Sequence, residues 1–252
     1  MRAMIHSISH QQTREGHSAR RKRHHRSWLI VAAAIVAVAI FAALGDFSSV
    51  PWLTLTGAVL QTTVRLVFAY LIALAVGVAI ALLVGWSPFT DALFPVFDIL
   101  QNVPSFALIP FFIYFLGYTD RMIVLFAVSS VLWPILFAVL AAIRNAHADL
   151  NDAATIFGAR GIRRIPFYLM PLSLPAVLTG SIVGIAIGWE SIIGAEIITN
   201  AAGFGSFIKD ASATGVNQSA VAGMLVILLI VFTINRLVWA PLMTESAKRY
   251  AE

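Results

Sequence analysis

The sequence contains no cysteine and comparatively few charged residues. Without cysteine the chain can form no disulfide, no thiolate metal site and no cysteine nucleophile. Charged side chains account for 12% of the 252 residues and hydrophobic ones for 60%, and the mean hydropathy is +0.88. Because a soluble domain of this size needs more charge on its surface, the composition indicates a protein embedded in a membrane.

Sequence motifs that mark catalytic or nucleotide-binding chains are also missing. The sequence has neither the H-E-x-x-H pattern of zinc proteases nor the G-x-x-x-x-G-K-[ST] phosphate-binding loop. No histidine falls within a long apolar run: five of the six lie at positions 6–25, and the other is His147. We therefore expect no catalytic residue, no cofactor and no metal site in the membrane. Metal binding by the histidine-rich tail is the alternative to a merely solvated tail.

Six apolar runs are long enough to cross a bilayer. Residues 122–143, for example, carry no acidic or basic side chain, and as a helix these 22 positions extend over roughly 33 Å, against about 30 Å for a hydrocarbon core. A buried helix of a large soluble protein is the alternative for one such run, but it does not account for six. The predicted spans are 28–44, 57–84, 93–116, 122–143, 174–198 and 220–242.

The distribution of basic residues predicts the orientation of these spans. An even number of spans places both termini on one side of the membrane. Basic residues are frequent on that side and rare on the other, where only Arg121 and Lys209 occur. The positive-inside rule then puts both termini and the segment 145–174 in the cytoplasm. The basic stretches on that side are 20–26, 144–164 and the pair Lys248 and Arg249.

The N-terminal segment differs in character from the rest of the chain. We predict a basic, disordered cytoplasmic tail at 1–27 and a transmembrane domain at 28–252. The basic cluster at 20–26 suits lipid headgroups, whereas nucleic-acid binding requires a folded basic surface that so short a tail does not offer. The alternative is a signal peptide within residues 1–44, whose cleavage would leave five spans and an external N-terminus.

The segment 145–174 reads NAHADLNDAATIFGARGIRRIPFYLMPLSL, which is too apolar for a passive loop. Asp149 is placed to cap a short helix at 150–157, and Gly158 suits a helix end, where φ turns positive. Pro166 suits the start of a second helix, where its missing N–H costs nothing. We expect two short amphipathic helices joined by a glycine-rich basic turn, and such an element needs a partner groove or the lipid surface.

The same segment contains a spaced pattern of acidic, small and proline residues. It reads Asp152-Ala153-Ala154, then Gly158 after three residues, then Tyr168-Leu169-Met170-Pro171 after nine more. This pattern resembles the E-A-A, G and I-x-L-P residues of ATP-binding-cassette importer permeases at the same spacing. Aspartate, tyrosine and methionine replace the family's glutamate, isoleucine and leucine, so the acid and the bulk are kept.

This resemblance implies an all-α integral membrane fold of the type I importer kind, with about six transmembrane helices and a cytoplasmic coupling helix. In that family the coupling helix docks on a separate ATPase subunit. Arg160 has lipid phosphates as an alternative partner. The residues that the resemblance implies for the ATPase contact are Asp152, Ala153, Ala154, Gly158, Arg160 and Pro171.

The resemblance also implies partners and a location. The chain would be a transport subunit of the cell membrane, not an enzyme, and would act as a homodimer with two ATPase subunits. An extracytoplasmic substrate-binding protein would deliver the solute. The alternative function is a secondary transporter driven by an ion gradient, which would not need a coupling helix and more often shows inverted repeats.

A second resemblance concerns the solute. The segment 104–110, PSFALIP, followed by Phe115-Leu116-Gly117, is similar to a segment of permeases for taurine, nitrate and aliphatic sulfonates. Trp189-Glu190 and Ala195-Glu196, followed by Gly203-Phe204-Gly205, are similar to another segment of the same group. The implied substrate is a small anion such as a sulfonate, nitrate or a related oxyanion, and the sequence does not choose among them.

Polar residues and prolines within the spans are the candidates for a pathway or gate. Prolines break a helix, and in lipid the freed carbonyls need protein or water partners, so a broken helix suggests a cavity; a kinked packing helix is the alternative. Arg65 is expected to pair with Asp98 or Glu190, or to contact an anionic substrate. Glu196 is expected near the outer face, touching the binding protein or closing a gate. The candidates are Asn102, Pro104, Pro110, Arg65, Glu190 and Glu196.

Overall fold

The computed structural model describes residues 47–250, except 147, 214 and 216, and within these residues it contains helices and no strand. The predicted tail at 1–27 and the predicted first span at 28–44 lie outside the described residues. In chain order the α-helices are α1 (Trp52–Trp86), α2 (Thr90–Gln101), α3 (Ile109–Leu116), α4 (Asp120–Arg144), α5 (Ala148–Ile156), α6 (Met170–Thr199), α7 (Phe204–Ala213), α8 (Asn217–Ile234) and α9 (Ala240–Tyr250).

Four helical stretches of the described chain are long and apolar enough to cross a membrane. They are Trp52–Trp86, Asp120–Arg144, Gly161–Thr199 and Gln218–Ser246. A fifth candidate is a broken pair, Thr90–Gln101 with Ser105–Leu116, whose two halves are bent by 83°. The all-α prediction is therefore confirmed, and five of the six predicted spans have a counterpart here. With 35 residues, α1 is roughly 52 Å long, which exceeds the thickness of a hydrocarbon core.

Helices α1, α4 and α6 form the packed centre of the described chain. Gly85 near the end of α1 lies against Ile143 near the end of α4, so these two helices run in the same direction. Helix α6 runs the opposite way, because its later residue Gly188 lies against Leu66 in the first half of α1. One end of the bundle therefore joins the starts of α1 and α4 to the end of α6.

Glycines on α6 allow its backbone to approach α4 closely. A Cβ atom added at Gly180 would lie 2.8 Å from the Cα of Ile135, and one added at Gly184 would lie 3.1 Å from Cγ1 of Val131. Small residues that let helix backbones meet are the usual basis of helix association in lipid, where apolar burial drives little. Gly180 and Gly184, four residues apart on α6, thus allow α6 to pack against α4 of the same chain.

The buried core contrasts with the outward faces of the same helices. Phe126, Met122 and Ile192 are fully buried between α1, α4 and α6. Large apolar side chains such as Leu53 and Leu60 on α1 are exposed. In a bilayer such faces contact lipid, and the backbone polar groups are satisfied within each helix.

Candidate functional site

Helix α5 ends in a geometry that its sequence dictates. Gly158 has φ of +85°, the left-handed conformation that glycine adopts without strain. Its N–H donates to the carbonyl of Thr155, and the N–H of Ala159 donates to the carbonyl of Ala154 at 2.9 Å. This pair of bonds is the Schellman motif, which satisfies carbonyls that a helix end leaves without partners. The predicted role of Gly158 as a helix terminator is confirmed.

Two expectations for the segment 145–174 were wrong. Helix α5 begins at Ala148, so Asp149 lies inside the first turn and does not occupy the capping position before 150. In the first turn the negative charge of Asp149 is stabilised by the positive end of the helix dipole. The second short helix is also not separate. The turn Ile165–Leu169, which has Pro166 near its start, continues directly into α6, so the end of the segment is continuous with a membrane-crossing helix.

Apolar side chains on this segment lie uncovered. Phe157 is 90% exposed and Ile156 is 81% exposed, at the very end of α5. Ile162 and Phe167 are exposed in the turns that follow. Exposed apolar groups of this size cluster on surfaces that bind a partner or a membrane. We call the four residues Ile156, Phe157, Ile162 and Phe167 the apolar loop surface.

The residues of the E-A-A-like pattern share this end of the molecule. Asp152 is exposed on α5, whereas Ala153 and Ala154 are half-buried. Arg160 is exposed in the turn after Gly158, and Pro171 is exposed in the first turn of α6. An exposed acid, small alanines and a glycine turn beside the apolar loop surface form a face that a second protein could approach closely.

At the opposite end, a buried carboxylate joins three helices. The Glu196 side chain on α6 is fully buried and accepts hydrogen bonds from the Thr62 hydroxyl of α1 at 2.8 Å and from the Gly205 N–H of α7 at 2.8 Å. The Thr62 hydroxyl in turn accepts from the N–H of Phe204 at 2.8 Å. Gly203 is packed so tightly that an added Cβ would overlap the Glu196 carboxylate. We call this arrangement the carboxylate network.

Arg65 completes the carboxylate network. Its guanidinium Nη1 lies 2.5 Å from Oε1 of Glu196 and also donates to the carbonyl of Ala202, while Nε donates to Oδ1 of Asp120 at 3.1 Å. The Arg65 side chain is only 11% exposed. Structural pairing of Arg65 is therefore confirmed, but the expected partners, Asp98 and Glu190, were wrong.

Sequence reasoning missed two members of the carboxylate network. Thr62 lies within an apolar span, three residues before Arg65, and that i, i+3 spacing of polar residues on one helix face was its only signal. Asp120 follows the third predicted span and begins α4, and nothing local marks it as a partner. Because the Glu196 side chain is fully buried, it offers no surface to a binding protein, contrary to that expectation, whereas the alternative role in closing a gate stays a prediction.

The proline-rich span is broken, as predicted. Its two halves meet at Asn102 and Pro104, and Pro110 lies in the first turn of α3. Asn102 is exposed and donates from its side chain to the carbonyl of Asp98, one of the carbonyls near the end of α2. A cavity of about 390 Å³ lies beside the break and is mostly apolar. Val103 and Ser105 line this cavity, and Asn102 is not among the lining residues.

Glu190 differs sharply from Glu196 on the same helix. It lies nine residues before the end of the Gly161–Thr199 span, is exposed, and has no hydrogen-bond or ion-pair partner within the part of the chain that the structure describes. A charge at mid-membrane costs about 2.5–3.5 kcal/mol on insertion scales unless it meets water or a partner. A charged side chain within a membrane-crossing helix therefore favours water or a protein partner over lipid at this face of α6.

Comparison with known sequences identifies related proteins. A sequence model of the family described as "Binding-protein-dependent transport system inner membrane component" matches residues 73–239, which is well over half of the chain. The matched range includes the broken span, the segment 145–174 and all of α4 and α6.

Individual relatives are distant but consistent. The nitrate import permease protein NrtB of Leptolyngbya laminosa is 27% identical over 69% of this chain and 63% of its own length. The taurine transport system permease protein TauC of Escherichia coli strain K12 is 25% identical over 68% of this chain and 62% of its own. The bicarbonate transport system permease protein CmpB of Synechocystis is 29% identical over 58% and 53%. The chain thus matches less than two thirds of the length of each of these relatives.

Proposed function

Because the chain belongs to the family of binding-protein-dependent transport system inner membrane components, we propose that it is the membrane-spanning subunit of an importer driven by a separate ATPase chain. The observation that carries this proposal is the segment 145–174. It combines the E-A-A-like residues with an apolar loop surface that is uncovered in the isolated chain. A gradient-driven transporter has no need of such a surface.

In this proposal α5 is the coupling helix, and the apolar loop surface docks into a groove of the ATPase. Asp152, Ala153 and Ala154 would lie against that groove, with Gly158, Arg160 and Pro171 at its edge. After the turn at 157–160, the helical stretch that begins at Gly161 passes without interruption into α6. A push or pull on α5 would therefore reach the membrane helices through one short turn, and such a connection is what conversion of nucleotide-driven motion into opening and closing requires.

The assembly in this proposal is a homodimer with two ATPase subunits and an external substrate-binding protein. The termini and α5 would face the cytoplasm, where the basic residues are concentrated. ATP binding would draw the two coupling helices together and open the helices outward, and hydrolysis would reset them. The chain itself performs no covalent step.

The solute in this proposal is a small anion. The support is the resemblance to permeases whose names specify nitrate, taurine and bicarbonate import. The pathway would run along the break in the proline-rich span, past Asn102, Pro104 and Pro110, and past the exposed Glu190 of α6. Arg65 and Glu196 would not contact the solute, because they pair with each other. Their ion pair would instead hold the end of α6 in place.

The experiment that tests the function is co-purification from native membranes in mild detergent. Gly158→Asp should abolish capture of the ATPase, because aspartate at φ of +85° strains the end of α5 and adds a charge there. The matched control is Gly215→Asp. Gly215 also has positive φ, of +71°, with no atom close to an added Cβ, and it lies in the turn between α7 and α8.

The importer proposal expects an ATPase with the unaltered chain and with the Gly215 variant, but not with the Gly158 variant. If uptake continued without ATP and collapsed with the proton gradient, the proposal would be wrong and a gradient-driven transporter would replace it.

A further inference from the structure

A polar cavity lies where the segment 145–174 meets the ends of the membrane helices. Its volume is about 500 Å³. It is lined by residues from the end of α1, the start of α2, the end of α4, α5 and the turn before α6, so five elements share its wall. The lining residues on which the inference depends are Asp91, Arg144, Asn151, Arg164 and Tyr168. We call it the loop cavity.

The charges of the loop cavity do not balance. Arg144 pairs with Asp91 at 3.2 Å and stacks over the ring of Phe94, 4.3 Å from its centroid. Arg164 donates to the side-chain oxygen of Asn151, which is neutral. Within the described residues Arg164 has no carboxylate partner, so the lining carries two guanidinium groups against one carboxylate. The excess is one positive charge.

A hydroxyl group in the same wall lacks an acceptor. The Tyr168 hydroxyl oxygen is buried and has no hydrogen-bond partner in the part of the chain that the structure describes. The Arg164 guanidinium lies 5.4 Å from the centroid of the Tyr168 ring, so it packs against the ring that carries this hydroxyl. A buried donor left without an acceptor is costly, and most such groups in proteins are satisfied by protein, water or a ligand.

We propose that the loop cavity is a binding site for a tetrahedral oxyanion, held by Arg164, Arg144 and the Tyr168 hydroxyl. Planar guanidinium groups bind phosphate and sulfate oxygens through paired, charge-assisted hydrogen bonds. A phosphate group would neutralise the excess charge and accept from the tyrosine. Because α1 and α4, both long and apolar enough to cross a membrane, end beside the cavity, a lipid headgroup is a candidate occupant, and an anionic lipid and a free anion present the same chemistry there.

Occupancy would tie the loop to the membrane helices. Asn151 belongs to α5, whereas Arg144 ends α4, so an anion between Arg144 and Arg164 would hold α5 against the bundle. That occupancy would control the coupling between the ATPase and the membrane helices rests on the proposed function. The site itself does not, because it is defined by the residues of one chain.

Binding to the purified full chain, stripped of lipid in mild detergent, tests the site. Isothermal titration calorimetry would use two probes separately, inorganic phosphate and the short-chain lipid dihexanoyl phosphatidylglycerol. Arg164→Gln should weaken binding about tenfold or more, since it removes a charge-assisted hydrogen bond. Tyr168→Phe, which keeps the ring under Arg164, should weaken binding by about the same factor. Arg163→Gln makes the same charge change at an exposed neighbour outside the cavity and should bind as the unaltered chain does.

The two probes distinguish the sources of the ligand. Phosphate binding that both cavity variants weaken identifies a free anion, and binding of the lipid alone with the same losses identifies a headgroup. Binding of neither probe, or equal losses in the Arg163 variant, would overturn the proposal. The assay contains no ATPase and measures no transport, so its failure leaves the proposed function standing, and loss of ATPase capture leaves this site standing.

Discussion

The two ends of the central bundle differ in whether they are complete within one chain. At one end the carboxylate network buries Glu196 and gives its oxygens donors from α1 and α7. At the other end the apolar loop surface leaves Phe157 90% exposed beside a glycine turn. A polar network with all its hydrogen bonds made stabilises the fold that contains it. Exposed apolar side chains, in contrast, contribute favourable free energy only when a partner buries them. Substitutions at the two ends should therefore affect different measurements.

The largest effect on stability is expected from Glu196→Ala. It leaves Arg65, which is 11% exposed, without its buried partner, and removes the acceptor for Thr62 and Gly205. Breaking a buried ion pair from one side costs about 3–5 kcal/mol. The free energy of unfolding in detergent, measured by denaturant titration, should fall by about that amount.

The same helix supplies the control for this measurement. Glu190→Ala removes an identical side chain six residues earlier, where it is exposed and unpaired within the described residues. Its unfolding free energy should stay within about 0.5 kcal/mol of the unaltered chain. Equal losses in the two variants would remove the distinction between a network that holds the fold and a charge that faces a pathway.

A smaller effect, on a different quantity, is expected from Phe157→Ala. Burying a phenylalanine side chain contributes about 1.5–3 kcal/mol, so loss of this ring should weaken ATPase binding roughly 10- to 100-fold. The unfolding free energy of the chain alone should be almost unchanged, because the Phe157 side chain is 90% exposed. Binding of detergent-purified chain to the immobilised ATPase measures the first, and denaturant titration the second.

Phe115→Ala is the matched control, at an exposed apolar surface that does not belong to the apolar loop surface. Phe115 is also an exposed phenylalanine, but it lies on α3 beside the aromatic rings of Phe111 and Tyr114, away from α5. Its loss should leave ATPase binding unaltered. If both variants weakened binding equally, the assignment of the apolar loop surface as the ATPase-binding surface would be wrong.

The two ends also differ in how much of them the sequence predicts. The turn at Gly158 was predictable, because a helix end in the left-handed conformation is a local event that glycine alone permits cheaply. The break at Pro104 was predictable for the same reason, since proline acts on its own helix. The long apolar runs likewise predicted most span positions, although not the direct passage from Pro166 into α6.

The partners of Arg65 could not be predicted in this way. Asp120 and Glu196 lie 55 and 131 residues away from it along the chain, and only the packing of α1, α4 and α6 brings them together. Asp98 and Glu190 carry the same carboxylate group, and the sequence contains nothing that favours one of these four acids over another as the partner of Arg65. Which charges meet within a membrane is decided by helix rotation, which is a property of the whole bundle.

The smallest effect is expected from Asp120→Asn, which alters the more exposed of the two ion pairs in the carboxylate network. The Asp120 side chain is 74% exposed, whereas that of Glu196 is fully buried, although both pair with the same arginine. Exposed ion pairs contribute about 0–1 kcal/mol, because water screens both charges and asparagine still accepts a hydrogen bond. Denaturant titration should therefore show a loss below about 1 kcal/mol, several times smaller than for Glu196→Ala. A loss as large as that of Glu196→Ala would mean that Asp120 is shielded in the assembled protein, and that this end too is completed by a partner.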